Sequence, residues 1–226
     1  MAKNKKSRRA MSKRGRDFFI ILAIAIALLA VAIDKTALKP MRRRIVESKQ
    51  RGPDGQKYHG KTFTVVNIVD GDTFDLNIAD GENSTTRIRP LGVDTPETVH
   101  PKYPPMYYGP EATDYTKSLV LNKNVTIEID TVSKSRDIYG RLLCFVRLND
   151  GTDFGVTLLK NGYAYADLRF EHGRYDQYTD LQLKAVKQRT GLWNKVEKKQ
   201  FPKWLKQKYP TILELRPEPD NSVHSN

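Results

Sequence analysis

A single cysteine, Cys144, in 226 residues excludes an intramolecular disulfide framework and a zinc site built on cysteine pairs. It lies in the apolar run LLCFV, where a thiol reads as a small buried hydrophobe. Four histidines occur, none at the spacing of a metal-ligand pair, and His100 and His172 read as solvated loop residues. Neither a GxxxxGK[ST] loop nor a GxGxxG fingerprint is present, so the P-loop and dinucleotide-binding signatures are both missing. After Asp70 and Asp72, the third ligand and invariant glycine of an EF-hand do not follow in register. Internal repeats are also absent. Long apolar runs are limited to one, FFIILAIAIALLAVAI, residues 18–33.

Acidic residues are in deficit overall, giving a net charge of +13, but the excess is local. Residues 1–17 carry +7, residues 34–59 carry +5, residues 60–195 carry −1 and residues 196–226 carry +2. The body expected to fold is therefore near neutral, and bulk charge alone is a weak argument for a polyanionic partner. Any phosphate recognition must come from individually placed arginines.

The sixteen-residue apolar run is shorter than the roughly 20 residues of a membrane-spanning helix and longer than most signal-peptide cores. Eight basic residues precede it and Lys35, Lys39 and Arg42 to Arg44 follow, which favours an uncleaved transmembrane signal anchor with a cytoplasmic N-terminus. Cleavage after the small-residue pattern Ala30-Val31-Ala32 is the alternative, and it would give a secreted protein. Residues 34–59 are polar and marked by Pro40, Gly52, Pro53 and Gly55, and they read as a linker.

From residue 60 the pattern changes. KTFTVVNIV and DTFDLNIA have the β-branched content and alternation of strands, and STTRIRPLGV makes a third that ends near Pro90 and Gly92. Residues 100–109 form a proline- and tyrosine-rich loop, and Pro110 opens a helix. NVTIEIDTV and GRLLCFVRL read as strands four and five. A short element around residues 155–161 and an amphipathic helix over residues 177–189 follow. The order implies an α+β fold, a five-stranded OB-type β-barrel with about three packed helices, spanning residues 60–195. Residues 196–226 read as a polar C-terminal tail.

The chemistry concentrates in VNIVDGDTFDLNIADGENSTTRIRPLGVDTPE, residues 66–97. Asp70, Asp72, Asp94 and Glu97 stand at the ends of short β-like runs, with Arg87 and Arg89 between them. Carboxylates of this kind with an arginine nearby suit a hard cation that bridges an anionic substrate. Asp-Gly pairs are also ordinary hairpin signals, and Asp80-Gly81 reads simply as a turn. Arg87 reads as an exposed strand residue.

VDGDTF, RPLGVDTPE, YGPEA and DIYGR, in this order, resemble the staphylococcal nuclease (thermonuclease) family over about residues 61–193. The NGYA and GLW segments fall where that family would put them. The resemblance implies an OB-fold and a calcium-dependent phosphodiesterase that acts on DNA and RNA with low sequence specificity. It implies Asp72 and Asp94 as calcium ligands, with the backbone carbonyl of Thr95 as the third. Asp70 would act in the outer shell, largely through water, Glu97 as general base, and Arg89 and Arg141 as the arginines on the scissile phosphate. Tyr139 would stack on or hydrogen-bond nucleotide. Ile138 stands where the family has a basic residue, and Leu168 and Phe170 stand where it has an aromatic pair. No cofactor beyond Ca2+ and no protein partner is implied, and a monomer is expected. The alternative reading is a tethered OB-fold module that binds nucleic acid, or acts as a scaffold, without cutting. It would have no need of Asp72, Asp94 and Glu97 together.

Overall fold

The computed structural model describes residues 19–27, 29, 52–99, 102 and 104–217. The chain divides into an N-terminal and a C-terminal unit between residues 48 and 49. In the first, residues 19–27 and 29 are helical and exposed. Among the described residues no helix is long and apolar enough to cross a membrane. The ends of the expected anchor, the basic N-terminus and most of the expected linker lie outside the described residues.

The second unit holds α1 (Pro53–Tyr58), β1 (Thr62–Asp70), β2 (Thr73–Leu76), β3 (Thr86–Pro90), β4 (Val93–Asp94), α2 (Gly109–Val120), β5 (Asn124–Glu128) and β6 (Leu142–Arg147). α3 (Phe154–Lys160), β7 (Tyr165–Ala166), α4 (Tyr175–Lys187) and α5 (Lys203–Lys208) complete it. Five strands close a barrel in the order β1-β2-β3-β6-β5, as expected of an OB-type fold. All pairings are antiparallel except β3 with β6, where Arg89 lies opposite Leu143. Period-two alternation puts Thr86, Ile88 and Pro90 inward and leaves Arg87 and Arg89 on the outer face of β3. The barrel interior is filled by residues such as Val65, Phe74, Ile88, Ile127 and Leu142, and Cys144 is buried among them.

Two boundaries differ from the sequence reading. Pro53–Tyr58, placed in the linker, is a helix with proline in its first turn, and Tyr58 is fully buried against Phe63. Glycine and proline there start a helix; they do not prevent one. The C-terminal tail folds as well. Phe201, Leu205 and Ile212 join Tyr165, Val186 and Trp193 in a second core cluster. Residues 52–217 thus carry 24 Lys/Arg against 21 Asp/Glu, a net +3 where −1 had been expected of the shorter body.

Candidate active site

A cleft of about 970 Å³ opens on the barrel and is lined by Asp72, Arg89, Asp94, Glu97, Arg141 and Arg169, among others. Its floor is the β1–β2 hairpin, in which Asp70 pairs with Thr73 across Gly71 and Asp72. The Asp72 amide donates to Asp70 Oδ1 at 3.1 Å, an aspartate turn that ties the Asp70 side chain to the Asp72 backbone. Thr116 of α2 donates its hydroxyl to the Gly71 carbonyl at 2.6 Å and locks the turn from behind. Gly71 is required by proximity: a side chain there would meet Thr95 Oγ1 at 2.7 Å. That close approach lets Asp72, only 3% exposed, accept from the Thr95 amide at 2.6 Å and from its hydroxyl at 3.1 Å through Oδ2.

β4 brings the second carboxylate. Asp94 pairs with Tyr165 of β7, so a two-stranded ribbon sets its position beside the hairpin. Arg89 then bridges the two: Nη1 pairs with Asp72 Oδ1, and Nη2 donates to Asp94 Oδ1 at 2.6 Å. Arg169 adds a bond from Nη2 to the same Asp94 oxygen at 2.9 Å, and Trp204 Nε1 donates to Asp94 Oδ2 at 2.8 Å. Asp70 is pushed upward by burial, against the opposing pull of the Arg89 charge and the Thr73 hydroxyl.

Glu97 follows Pro96 on an exposed turn, and its Oε1 accepts from the Val99 amide at 2.7 Å. Across the cleft, Asp137 organises the other wall. Its Oδ1 accepts from the amides of Tyr139 and Arg141, at 2.9 and 3.0 Å, and its Oδ2 accepts from Arg141 Nε at 2.7 Å. Tyr139 is 77% exposed, with the Arg141 guanidinium 5.4 Å from its ring centre. The same loop is anchored from below by Arg136. This residue binds Asp54 of α1 at 2.7 Å, pairs with Asp80 and donates to the Gly140 carbonyl at 2.9 Å.

Several residues sit differently from their sequence reading. His172 is buried, not solvated: it packs among Phe145, Tyr175 and Tyr178, and its Nδ1 accepts from the Arg174 amide at 3.2 Å. Burial holds its pKa below the usual histidine range, against the raising charges of Asp130 and Asp167. His100 lies outside the described residues. Asp80 is more than a turn residue, since Arg136, Tyr58 and Lys57 all reach it. Arg87 is half exposed, as expected, but forks onto buried Asp75 at 2.8 and 3.1 Å. Of the two residues at the aromatic-pair position, Leu168 is core and Phe170 is 66% exposed at the cleft. Arg169, Asp167 and Trp204 were not anticipated at all.

The family described as "Staphylococcal nuclease homologue" matches residues 87–195. Thermonuclease of Staphylococcus hyicus is 36% identical over 135 residues, 59% of this chain and 76% of that protein. Thermonuclease of Staphylococcus intermedius is 36% identical over 137 residues, 60% and 78% of the two chains. Endonuclease YhcR of Bacillus subtilis is 32% identical over 160 residues, 67% of this chain and 13% of that much longer protein.

The chain belongs to the staphylococcal nuclease family. Its barrel, hairpin and DTPE loop are the parts of the fold that gather the carboxylates and arginines the family resemblance had singled out. Among the described residues no three His, Cys, Asp or Glu side chains form a ready-made metal cage. The set formed by Asp72, Asp94 and the Thr95 carbonyl nevertheless fits a hard divalent ion. All its donors are oxygens, and one cation, the Arg89 guanidinium, already bridges both carboxylates as a stand-in for positive charge.

Proposed function

We propose that this member of the staphylococcal nuclease family is a calcium-dependent phosphodiesterase that cuts DNA and RNA internally with low sequence specificity. The observation that carries the reading is the bridge from Arg89 to Asp72 and Asp94, which puts phosphate-binding and cation-binding groups in one cleft. Calcium held by Asp72, Asp94 and the Thr95 carbonyl would supply Lewis-acid charge to the phosphate oxygens. The residues of the chain do the rest. Arg89, released from its carboxylates, and Arg141 present planar forks that match two phosphate oxygens, which a lysine could not copy. Among the described residues Glu97 is tied through Oε1 alone, to the Val99 amide, so Oε2 is the atom that takes the proton of the attacking water. Tyr139, exposed and beside Arg141, offers a face on which a base can stack. Asp70, half-buried at the turn, fixes the Asp72 backbone. The low specificity follows if the cleft's polar groups address backbone phosphate, which is the same for every sequence.

The remaining expectations belong to the same proposal. The N-terminal apolar run would tether the enzyme to the membrane with residues 1–17 in the cytoplasm and the nuclease outside. A cysteine placed at Ser7 or Ser222, in a Cys144→Ala background, separates the topologies: labelling of intact cells at position 222 only is expected, and labelling at position 7 only would reverse it.

The reading is tested by two variants of the purified full chain. Asp72→Ala should abolish cleavage and weaken calcium binding while the fold persists. Glu97→Gln should lower turnover by orders of magnitude yet bind calcium and nucleotide as the parent does. Full turnover in either variant removes that residue from its assigned role, and nucleic-acid binding without cleavage by the parent chain would favour the binding-module alternative.

A further inference from the structure

Asp94 is gripped by a part of the chain that lies beyond the family match, which stops at residue 195. After that point the backbone continues into α5, held by Phe201, Leu205 and Ile212 in the second core cluster around Trp193 and Tyr165. This packing leaves Trp204 half-buried against Asp94, a residue of the cleft lining, with its Nε1–H donating to Asp94 Oδ2 at 2.8 Å. The other carboxylate oxygen takes Arg169 Nη2 at 2.9 Å. Arg169 is itself aimed by Asp167, through Nε and Nη2 at 2.8 Å each, and its guanidinium lies 5.0 Å from the Trp204 ring centre. Lys208 Nζ donates to the Leu168 carbonyl and so closes α5 onto the segment that carries Arg169. Trp204, Arg169 and Asp167 thus form one contiguous unit whose free end is a single carboxylate.

The acceptor positions of that carboxylate are nearly used up. A carboxylate has about four lone-pair sites. With Arg89 on its carboxylates, Arg89 and Arg169 occupy both on Oδ1 and Trp204 takes one on Oδ2, so the site that stands open before Arg89 leaves is on Oδ2. A neutral indole donor can orient Asp94 without adding a positive charge that would compete with a bound cation. We infer that the segment after residue 195 is a working part of the site: Trp204, with Arg169 stacked on it, is a positioning residue that aims Asp94 Oδ2 at a divalent cation. The inference rests on the metal-dependent reading above and adds to it a residue that the family match does not cover.

The test uses the full chain with 15N-labelled tryptophan. The chain has two tryptophans, and Trp193 Nε1 is buried with no hydrogen-bond partner among the described residues, so the two indole N–H signals report different environments. Asp94→Ala should move the Trp204 signal and leave the Trp193 signal in place, and calcium added to the parent chain should move the same one. Trp204→Phe keeps a ring under Arg169 but loses the donor. Its calcium affinity, read by calorimetry, should fall about tenfold, within the 10–100-fold range for loss of an outer-shell partner. Turnover should return to within a few-fold of the parent once calcium is saturating, a recovery that general damage to the core would not give. Unchanged calcium affinity in Trp204→Phe, or a Trp204 signal indifferent to Asp94→Ala, overturns the inference while the nuclease reading stands. A parent chain that binds no divalent cation overturns both.

Discussion

Arg89→Ala should weaken the metal-free protein, and calcium should repair much of the damage. In the structure one guanidinium, with side-chain exposure of 14%, bridges two carboxylates, at 4% for Asp72 and 16% for Asp94. Removing one partner of a buried ion pair costs about 3–5 kcal/mol, because it leaves charge behind without compensation. The lower end applies here. Asp94 keeps Arg169 and Trp204, and Asp72 keeps the Thr95 amide and hydroxyl. A loss of about 3 kcal/mol corresponds to a fall in Tm of roughly 6–12 °C for a domain of this size. Calcium at 100 times its dissociation constant returns about 2.7 kcal/mol if it binds only the folded state. The variant's Tm in calcium should therefore approach the parent's Tm in chelator. Cleavage should still be lost by at least about 10²–10³, since the phosphate contact proposed for this arginine goes with it. Differential scanning calorimetry of parent and variant, each with calcium and with chelator, reads all four states. Equal melting of the two proteins in chelator would refute the bridge, and a variant that calcium does not stabilise would refute the shared use of the two carboxylates.

Arg136→Met should release the loop that carries Asp137, Tyr139 and Arg141 from Asp54 and Asp80, lowering kcat/KM about 10–100-fold through misplacement alone, with calcium affinity unchanged. Acid should unfold the domain in two stages. Burial lowers the pKa of His172, so stability present at neutral pH begins to fall as pH drops below about 6.5, and His172→Gln should flatten that part of the curve. The second stage belongs to Glu128 and Asp54. Burial alone would raise both, but Arg147 and Arg174 on the first and Arg136 and Ser135 on the second hold them below the usual carboxylate range. Their stabilisation is present above the unfolded carboxylate pKa and is lost as pH falls through the folded values. Nucleic-acid affinity should show a shallow salt slope, about −2 to −3 on single strands for three or four phosphate contacts at roughly −0.7 each, in keeping with a folded unit at only +3. A slope steeper than about −5 in a catalytically dead protein would mean a more positive binding surface than the cleft provides.

The strands were legible because their cause is local. β-branched residues at period two, broken by Asp-Gly and Pro, specify short paired segments without reference to the rest of the chain. The carboxylates and Arg89 were legible for a related reason: they crowd into 28 residues, Asp70 to Glu97, and the short elements β1 to β4 keep Asp70, Asp72, Arg89 and Asp94 close. What sequence reasoning missed was set by distance along the chain. Arg169 reaches Asp94 across 75 residues and Trp204 reaches it across 110, and neither partner announces the other. The tail did carry a signal. Phe201, Trp204, Leu205 and Ile212 recur at helical spacing inside a lysine-rich stretch, where snorkelling lysines such as Lys203 and Lys206 conceal an apolar face. His172 was misread because a histidine between Glu171 and Gly173 looks like a loop residue, whereas the turn folds it beneath Tyr178.

The central claim, that this cleft hydrolyses phosphodiesters with a bound cation, meets its most direct test in one assay. Purified full-length chain is incubated with supercoiled plasmid and with end-labelled single-stranded DNA, in calcium and in chelator. Truncation at Lys57 is to be avoided, because it would remove most of α1 and the Asp54 anchor of the Arg141 loop. The account predicts nicked and linear plasmid and a ladder of internal cuts in calcium, with both substrates intact in chelator. Substrates that stay intact in both conditions, while the protein still retards the labelled strand on a gel, would contradict it.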